Sequence, residues 1–206
     1  MSDEPLVYVV DDDLSVREAL RSMLRSVGLR CETFASAREF LRQPRAEGPA
    51  CLVLDVMLPD VSGLDLPAEL SRQGGDIPIV FMTGHGTIPM SVRAMKAGAV
   101  EFLTKPFSGE DLLAAIYQAL ERDRDARRVR AASVAVNAQL EKLTPRERDV
   151  LELVVTGRLN KEIAARLGIA EQTVKQHRGR IMRKLGARSV TDLVRFADQV
   201  SRIAPK

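Results

Sequence analysis

The sequence predicts a doubly wound α/β domain, (βα)5 around a parallel sheet, then a helical linker and a small all-α domain of four helices. Three observations carry this reading. Short apolar runs without polar alternation recur through the first 120 residues, each followed by a stretch with helical spacing, as expected for strands buried on both faces. A length of 206 residues is natural for two domains. Charge also changes sign along the chain. Residues 1–120 hold 11 Lys and Arg against 17 Asp and Glu, a net −6, whereas residues 121–206 hold 20 against 11, a net +9.

The elements follow in order. Residues 6–10 form a strand that runs into Asp11, Asp12 and Asp13. Residues 14–27 carry Leu14, Ala19, Leu20, Met23, Leu24 and Val27 at helical spacing, and Gly28 stops them. A strand at 30–34 and a short helix at 37–42 come next. Residues 51–54 make a strand that ends at Asp55. The helix at 63–73 has Pro67 in its first turn and two glycines behind it. A strand at 77–82 has Pro78 near its start. A helix at 89–97, a strand at 101–104 and a helix from Ser108 onward complete the fifth unit.

Residues 121–130 are nearly all charged and lack Gly and Pro, which makes a helical continuation. Val129, Val134, Val136 and Leu140 are too sparse for a coiled coil. Four helices are expected beyond, at 146–156, 160–167, 171–185 and 189–203, punctuated by Gly157, Gly168 and Gly186. The division is therefore 1–120, a linker at 121–140, and 141–206.

Several classes are set aside. No apolar run approaches the length of a membrane span, and the N-terminus lacks the basic-then-apolar pattern of a signal peptide. Cys31 and Cys51 lie in strand-like runs and read as reduced core thiols of a cytoplasmic protein.

In a parallel sheet, functional groups gather at the carboxyl ends of the strands. Asp11, Asp12, Asp55, Thr83 and Lys105 all fall there. Clustered carboxylates repel one another, and a divalent cation relieves that repulsion. An oxygen-only donor set suits Mg²⁺. With a cation neutralising an incoming phosphoryl group, Asp55 can attack phosphorus and form an acyl phosphate. Lys105 supplies a point charge and Thr83 a hydroxyl for the phosphoryl oxygens. Asp13 reads as a helix N-cap, Asp60 and Asp65 as turn and solvated residues, and His85 as loop structure. A phosphatase of the haloacid-dehalogenase type would want a second Asp two positions after Asp55, where Met57 stands.

In the basic half, residues 160–169 and 171–178 read as helix, tight turn, helix. Val174, Ile181 and Leu185 form the inner stripe of the second helix, leaving Lys175, Gln176, Arg178, Gly179 and Arg180 outward. That face suits the major groove.

The strings VVDD at 9–12, LVLD at 52–55, MTG at 82–84 and TKP at 104–106 resemble the receiver domain of two-component response regulators, and GHGTIPM at 84–90 with AMKAGAVEF at 94–102 resembles the FixJ type. LTPRE at 143–147, NKEIA at 160–164, TVKQH at 173–177 and IMRKL at 181–185 resemble the LuxR/NarL-type DNA-binding domain. The receiver resemblance implies that Asp55 is the phosphoacceptor, and that Mg²⁺ is held by Asp12, Asp55 and the Met57 carbonyl with Asp11 in the acidic set. It implies that Thr83 and Phe102 switch, and that the Lys105–Pro106 peptide is cis. The DNA-binding resemblance implies base contacts from Lys175, Gln176 and Gly179. It implies phosphate contacts from Asn160, Lys161, Thr173, Arg178, Arg183, Lys184 and Arg188. Glu147 and Glu162 read as pairing or capping residues, and His177 as a packed, hydrogen-bonded one. Together the resemblances imply a transcriptional regulator rather than a turnover enzyme. Its partners are a sensor histidine kinase, double-stranded promoter DNA and RNA polymerase; it forms a homodimer when phosphorylated, acts as an activator and does not engage a membrane. A vestigial receiver on a constitutive DNA-binding protein is the competing reading.

Overall fold

The computed structural model describes residues 4–44 and 46–203. Residues 1–3 and 204–206, at the outer edges of the expected domains, lie outside the described residues. Contacts divide the chain between Arg127 and Arg128.

In the first unit five strands lie parallel in the order β2-β1-β3-β4-β5. They are β1 (Leu6–Val10), β2 (Arg30–Phe34), β3 (Ala50–Asp55), β4 (Ile79–Thr83) and β5 (Glu101–Thr104). Five helices alternate with them: α1 (Leu14–Ser26), α2 (Ala37–Leu41), α3 (Leu66–Arg72), α4 (Ile88–Lys96) and α5 (Gly109–Glu141). Because side chains alternate along a strand, the sheet builds two cores. Leu6, Tyr8, Val10, Leu52, Leu54 and Phe81 face α2, α3 and α4, meeting Phe40, Leu66, Leu70 and Ala94. Val7, Val9, Val53, Val80 and Met82 face the other way, onto Leu20 and Leu24 of α1 and Leu112, Ile116 and Ala119 of α5.

Several elements start or stop a residue or so from the sequence reading, as β3 does by reaching from Ala50 to Asp55, and two of the differences have a local cause. β4 begins at Ile79 because Pro78 has no N–H for the ladder; its carbonyl still accepts from Leu52 N at 3.0 Å. The third helix opens with a 3-10 turn, Gly63–Asp65, before α3 proper. Gly63 itself allows this turn. A Cβ there would overlap the Asp55 carbonyl and the Val56 Cα, so only glycine lets this loop close against the end of β3.

α5 runs through the charged stretch to Glu141. Its core-facing stripe, Ile116, Ala119 and Leu120, continues to Asp123, which is buried. Asp123 Oδ2 accepts from Ala50 N at 2.9 Å and from Arg127 Nε at 2.6 Å. Arg127 donates in turn to the carbonyls of Glu47 and Ala46. The last turns of α5 in this unit are thus fastened to the loop that enters β3.

In the second unit Val136 and Leu140 of α5 join a core with α6 (Pro145–Val155), α7 (Asn160–Leu167), α8 (Glu171–Leu185) and α9 (Val190–Ile203). Val129 and Val134 are exposed. Val150, Val154, Ile163, Val174, Ile181 and Leu193 are buried at the centre. Gly168 ends α7 in the left-handed conformation, φ 65°, which permits the tight turn into α8. No described helix is long and apolar enough to cross a membrane.

Candidate functional site

Register brings the acidic residues together. Val10 pairs with Leu54, so Asp11 and Asp55 stand at one level of adjacent strands. Thr83 pairs with Thr104, one step beyond the Asp55–Met82 pair, and Lys105 follows. Asp11 and Asp55 flank the β1/β3 boundary, where the strand order reverses and the crevice of such sheets opens.

Lys105 Nζ donates to Asp11 Oδ2 and to Asp55 Oδ2, both at 2.7 Å. Asp11, Asp12 and Asp55 each offer a carboxylate oxygen, all within 4.8 Å of one another. Asp11 and Asp55 are buried and Asp12 is exposed. Asp55 Oδ1 accepts from Met57 N at 2.9 Å, so both oxygens of Asp55 are oriented. The peptide between Lys105 and Pro106 is cis.

Burial pushes the Asp11 carboxyl above the usual range, against the Lys105 hydrogen bond and charge. Burial alone would lower the Lys105 pKa, but its two carboxylate partners outweigh that and raise it, so the ammonium is retained. One ammonium therefore faces three carboxylates. The set has room, in charge and in donor type, for a hard divalent cation such as Mg²⁺.

Neighbouring residues take the local roles expected of them. Asp13 caps α1, its carboxylate accepting from Ser15 N at 2.7 Å and Ser15 Oγ at 2.6 Å, contacts that lower its pKa. Asp60 accepts from Arg38 N at 3.0 Å, and Asp65 pairs with Arg93 at the surface. Thr83 is buried and accepts from His85 N at 3.2 Å, while the His85 side chain is exposed. Phe102 is half-buried, 6.4 Å from the Phe81 ring, and Gly86 passes close over it. The two thiols are unpaired, and burial pushes Cys31 up to about 11 and Cys51 higher still.

In the second unit, α7 and α8 form the helix-turn-helix. Lys161, Lys175, Gln176, Gly179, Arg180, Arg183 and Arg188 are exposed, and Thr173 is half-buried. Three of the expected phosphate-contacting residues, Asn160, Arg178 and Lys184, have side chains engaged within the domain. Arg178 Nη1 donates to Asn160 Oδ1 at 2.6 Å. Lys184 Nζ donates at 2.6 Å to Glu147, a carboxylate that is itself buried. The same Glu147 Oε2 accepts from Thr144 N at 2.8 Å and completes the capping box of α6. Glu162 accepts from Leu159 N at 2.9 Å. The expected hydrogen bond of His177 is not complete: its Nδ1 is buried without a partner among the described residues.

The model for the response regulator receiver domain matches residues 7–117, and that for bacterial regulatory proteins of the luxR family matches residues 141–197. Nodulation protein W of Bradyrhizobium diazoefficiens is 50% identical over 197 residues, 96% of this chain and 87% of that protein. The chain belongs to the response regulator family. The solved structure of response regulator StyR superposes with a TM-score of 0.86 at 50% identity, covering 95% of this chain and 99% of that one. Full-length FixJ from B. japonicum gives 0.59 at 36% identity, covering 98% and 100%. This response regulator is therefore a two-component transcription regulator that joins a receiver domain to a LuxR-type DNA-binding domain.

Two residues of the regulator escape sequence reading. Asp123 sits in a run of charges that reads as solvated, and only its place three, four and seven residues beyond Leu120, Ala119 and Ile116 marks it as inward-facing. Arg17 donates to the carbonyls of Asp11 and Asp12, a contact with backbone that leaves no compositional trace.

Proposed function

We propose that Asp55 accepts a phosphoryl group from a sensor histidine kinase, and that the acyl phosphate strengthens binding of the helix-turn-helix to promoter DNA. The convergence of Asp11, Asp12, Asp55 and Lys105 at one sheet edge carries this reading. An Asp55 oxygen forms the new P–O bond as the P–N bond of the donor phosphohistidine breaks, and the leaving imidazole takes a proton. Asp12, Asp55 and the Met57 carbonyl, with Asp11, hold Mg²⁺, which supplies positive charge beside the phosphoryl oxygens. Lys105 shifts from carboxylate to phosphoryl oxygen, Thr83 donates its hydroxyl, and Phe102 follows Thr83 as the switch.

On the DNA side, Lys175, Gln176 and the close approach allowed by Gly179 serve the base edges. Asn160, Lys161, Thr173, Arg178, Arg183 and Arg188 serve phosphates. Lys184 reaches phosphate only by leaving Glu147, so we assign it first to anchoring α8. Homodimerisation of the phosphorylated form, through β5 and the helices that flank it, is supported by an apolar row on α4: Ile88, Val92 and Met95, at i, i+4 and i+7, are 81%, 46% and 48% exposed. The regulator acts in the cytoplasm as an activator that engages RNA polymerase at the promoter.

Intact-protein mass after incubation with phosphoramidate and Mg²⁺ tests the assignment. The wild type gains one phosphoryl group and Asp55→Asn gains none. A wild type that gains nothing would revive the vestigial receiver, and an equal gain on Asp55→Asn would move the acceptor elsewhere.

A further inference from the structure

Two of the three acids of the β1–α1 loop, Asp11 and Asp12, share one brace. Arg17 Nη1 donates to the Asp11 carbonyl at 2.7 Å and to the Asp12 carbonyl at 2.9 Å. Arg17 is the fourth residue of α1, and its own N–H bonds the Asp13 carbonyl at 3.1 Å. Its side chain therefore runs backward, toward the N-terminal end of its helix. A cation is disfavoured at that end by the helix dipole. No acidic residue of the first turn holds it there, and the Asp13 carboxylate is engaged with Ser15. The guanidinium occupies this position for the carbonyls of two successive residues, both of which offer carboxylate oxygens to the cluster.

Pinning both carbonyls fixes the peptide planes on either side of Asp12, and so the direction in which its side chain leaves the loop. Asp12 is the exposed member of the three and the one that packing restrains least. Two other bonds hold the loop: Asp11 N donates to the Phe34 carbonyl at 3.2 Å, and Asp13 N, in the second of these peptides, donates to Asp11 Oδ1 at 2.9 Å, but of the three only Arg17 engages both planes beside Asp12. A planar, half-buried guanidinium can serve two acceptors with little loss of freedom, which an ammonium does less well.

We propose that Arg17 is a positioning residue for the divalent-cation site: it holds the Asp11–Asp12 loop in the geometry that presents both carboxylates, without touching the ion. This rests on the reading that Asp11, Asp12 and Asp55 hold Mg²⁺. Outer groups that orient ligands are typically worth about 10–100-fold in metal affinity.

Full-length wild type, Arg17→Ala and Arg17→Lys, each stripped with chelator, are titrated with Mg²⁺ alone at constant ionic strength. The reading is the rise in the receiver's melting temperature. The wild type rises with Mg²⁺ as the logarithm of its concentration above the dissociation constant, and the rise of Arg17→Ala sets in at about tenfold higher Mg²⁺. Arg17→Lys, which keeps the charge, falls between them. A merely structural role would lower the melting temperature without Mg²⁺ and leave the onset concentration in place. An unchanged onset in both variants overturns the role of Arg17 alone. A wild type with no Mg²⁺ response overturns the cation site and this role with it.

Discussion

Glu147→Ala is expected to destabilise the DNA-binding domain by about 2–4 kcal/mol. One buried carboxylate oxygen serves both Thr144 N and Lys184 Nζ. Removing it opens the capping box of α6 and frees the contact that ties α8 to α6, while the other partner keeps its charge. Lys184 is 34% exposed at the side chain, so water recovers part of the loss and the lower half of that range is favoured. The Lys184 hydrogen bond holds the Glu147 carboxyl below the ordinary glutamate value of 4.5. A depressed folded-state pKa adds stability above the unfolded value and loses it as pH falls through the folded one. The second domain of the wild type should therefore weaken with acid from about pH 4.5 downward, and Glu147→Gln should flatten that dependence. Urea melts followed by helical circular dichroism at pH 7 and pH 4 check both. A Glu147→Ala protein as stable as wild type would mean that Lys184 does not anchor α8.

Lys105→Ala is expected to act on the other half of the molecule. It leaves Asp11 and Asp55 without the ammonium that meets each at 2.7 Å, and the receiver loses about 2 kcal/mol in chelator. Mg²⁺ then restores more stability to the variant than it adds to the wild type, because the cation becomes the cluster's main counter-charge. Melting curves with and without Mg²⁺ on the two proteins measure the difference. Equal Mg²⁺ increments would show that Lys105 and the cation do not act on the same carboxylates.

The central strands were legible because a parallel sheet buried on both faces writes itself as unbroken apolar runs, as β1 and β3 do; the edge strands β2 and β5 are mixed in sequence and only part-buried, and it was their place between helical stretches that marked them. α7 and α8 were legible because Gly168 and the Val174, Ile181 stripe mark the turn and the inner face. What sequence does not show is how a charge is used. Lys184 lies on α8 among the exposed cations Arg180 and Arg183, and nothing in the spacing says that it turns inward to Glu147, 37 positions earlier. Asp123 likewise reads as one more acid in a solvated helix until the loop at 46–50 closes on it. Long-range partners of single charges depend on the fold, whereas periodicity and turn residues report it locally.

In the proposed function, phosphorylation at Asp55 controls DNA binding by α8. Binding of full-length protein to a pool of randomised duplexes, with and without phosphoramidate, at one fixed salt concentration tests it most directly. The wild type should retain a defined sequence far more tightly after phosphorylation, and Asp55→Asn should not respond. Equal binding by both proteins, regardless of phosphodonor, would show that Asp55 does not control the DNA-binding domain.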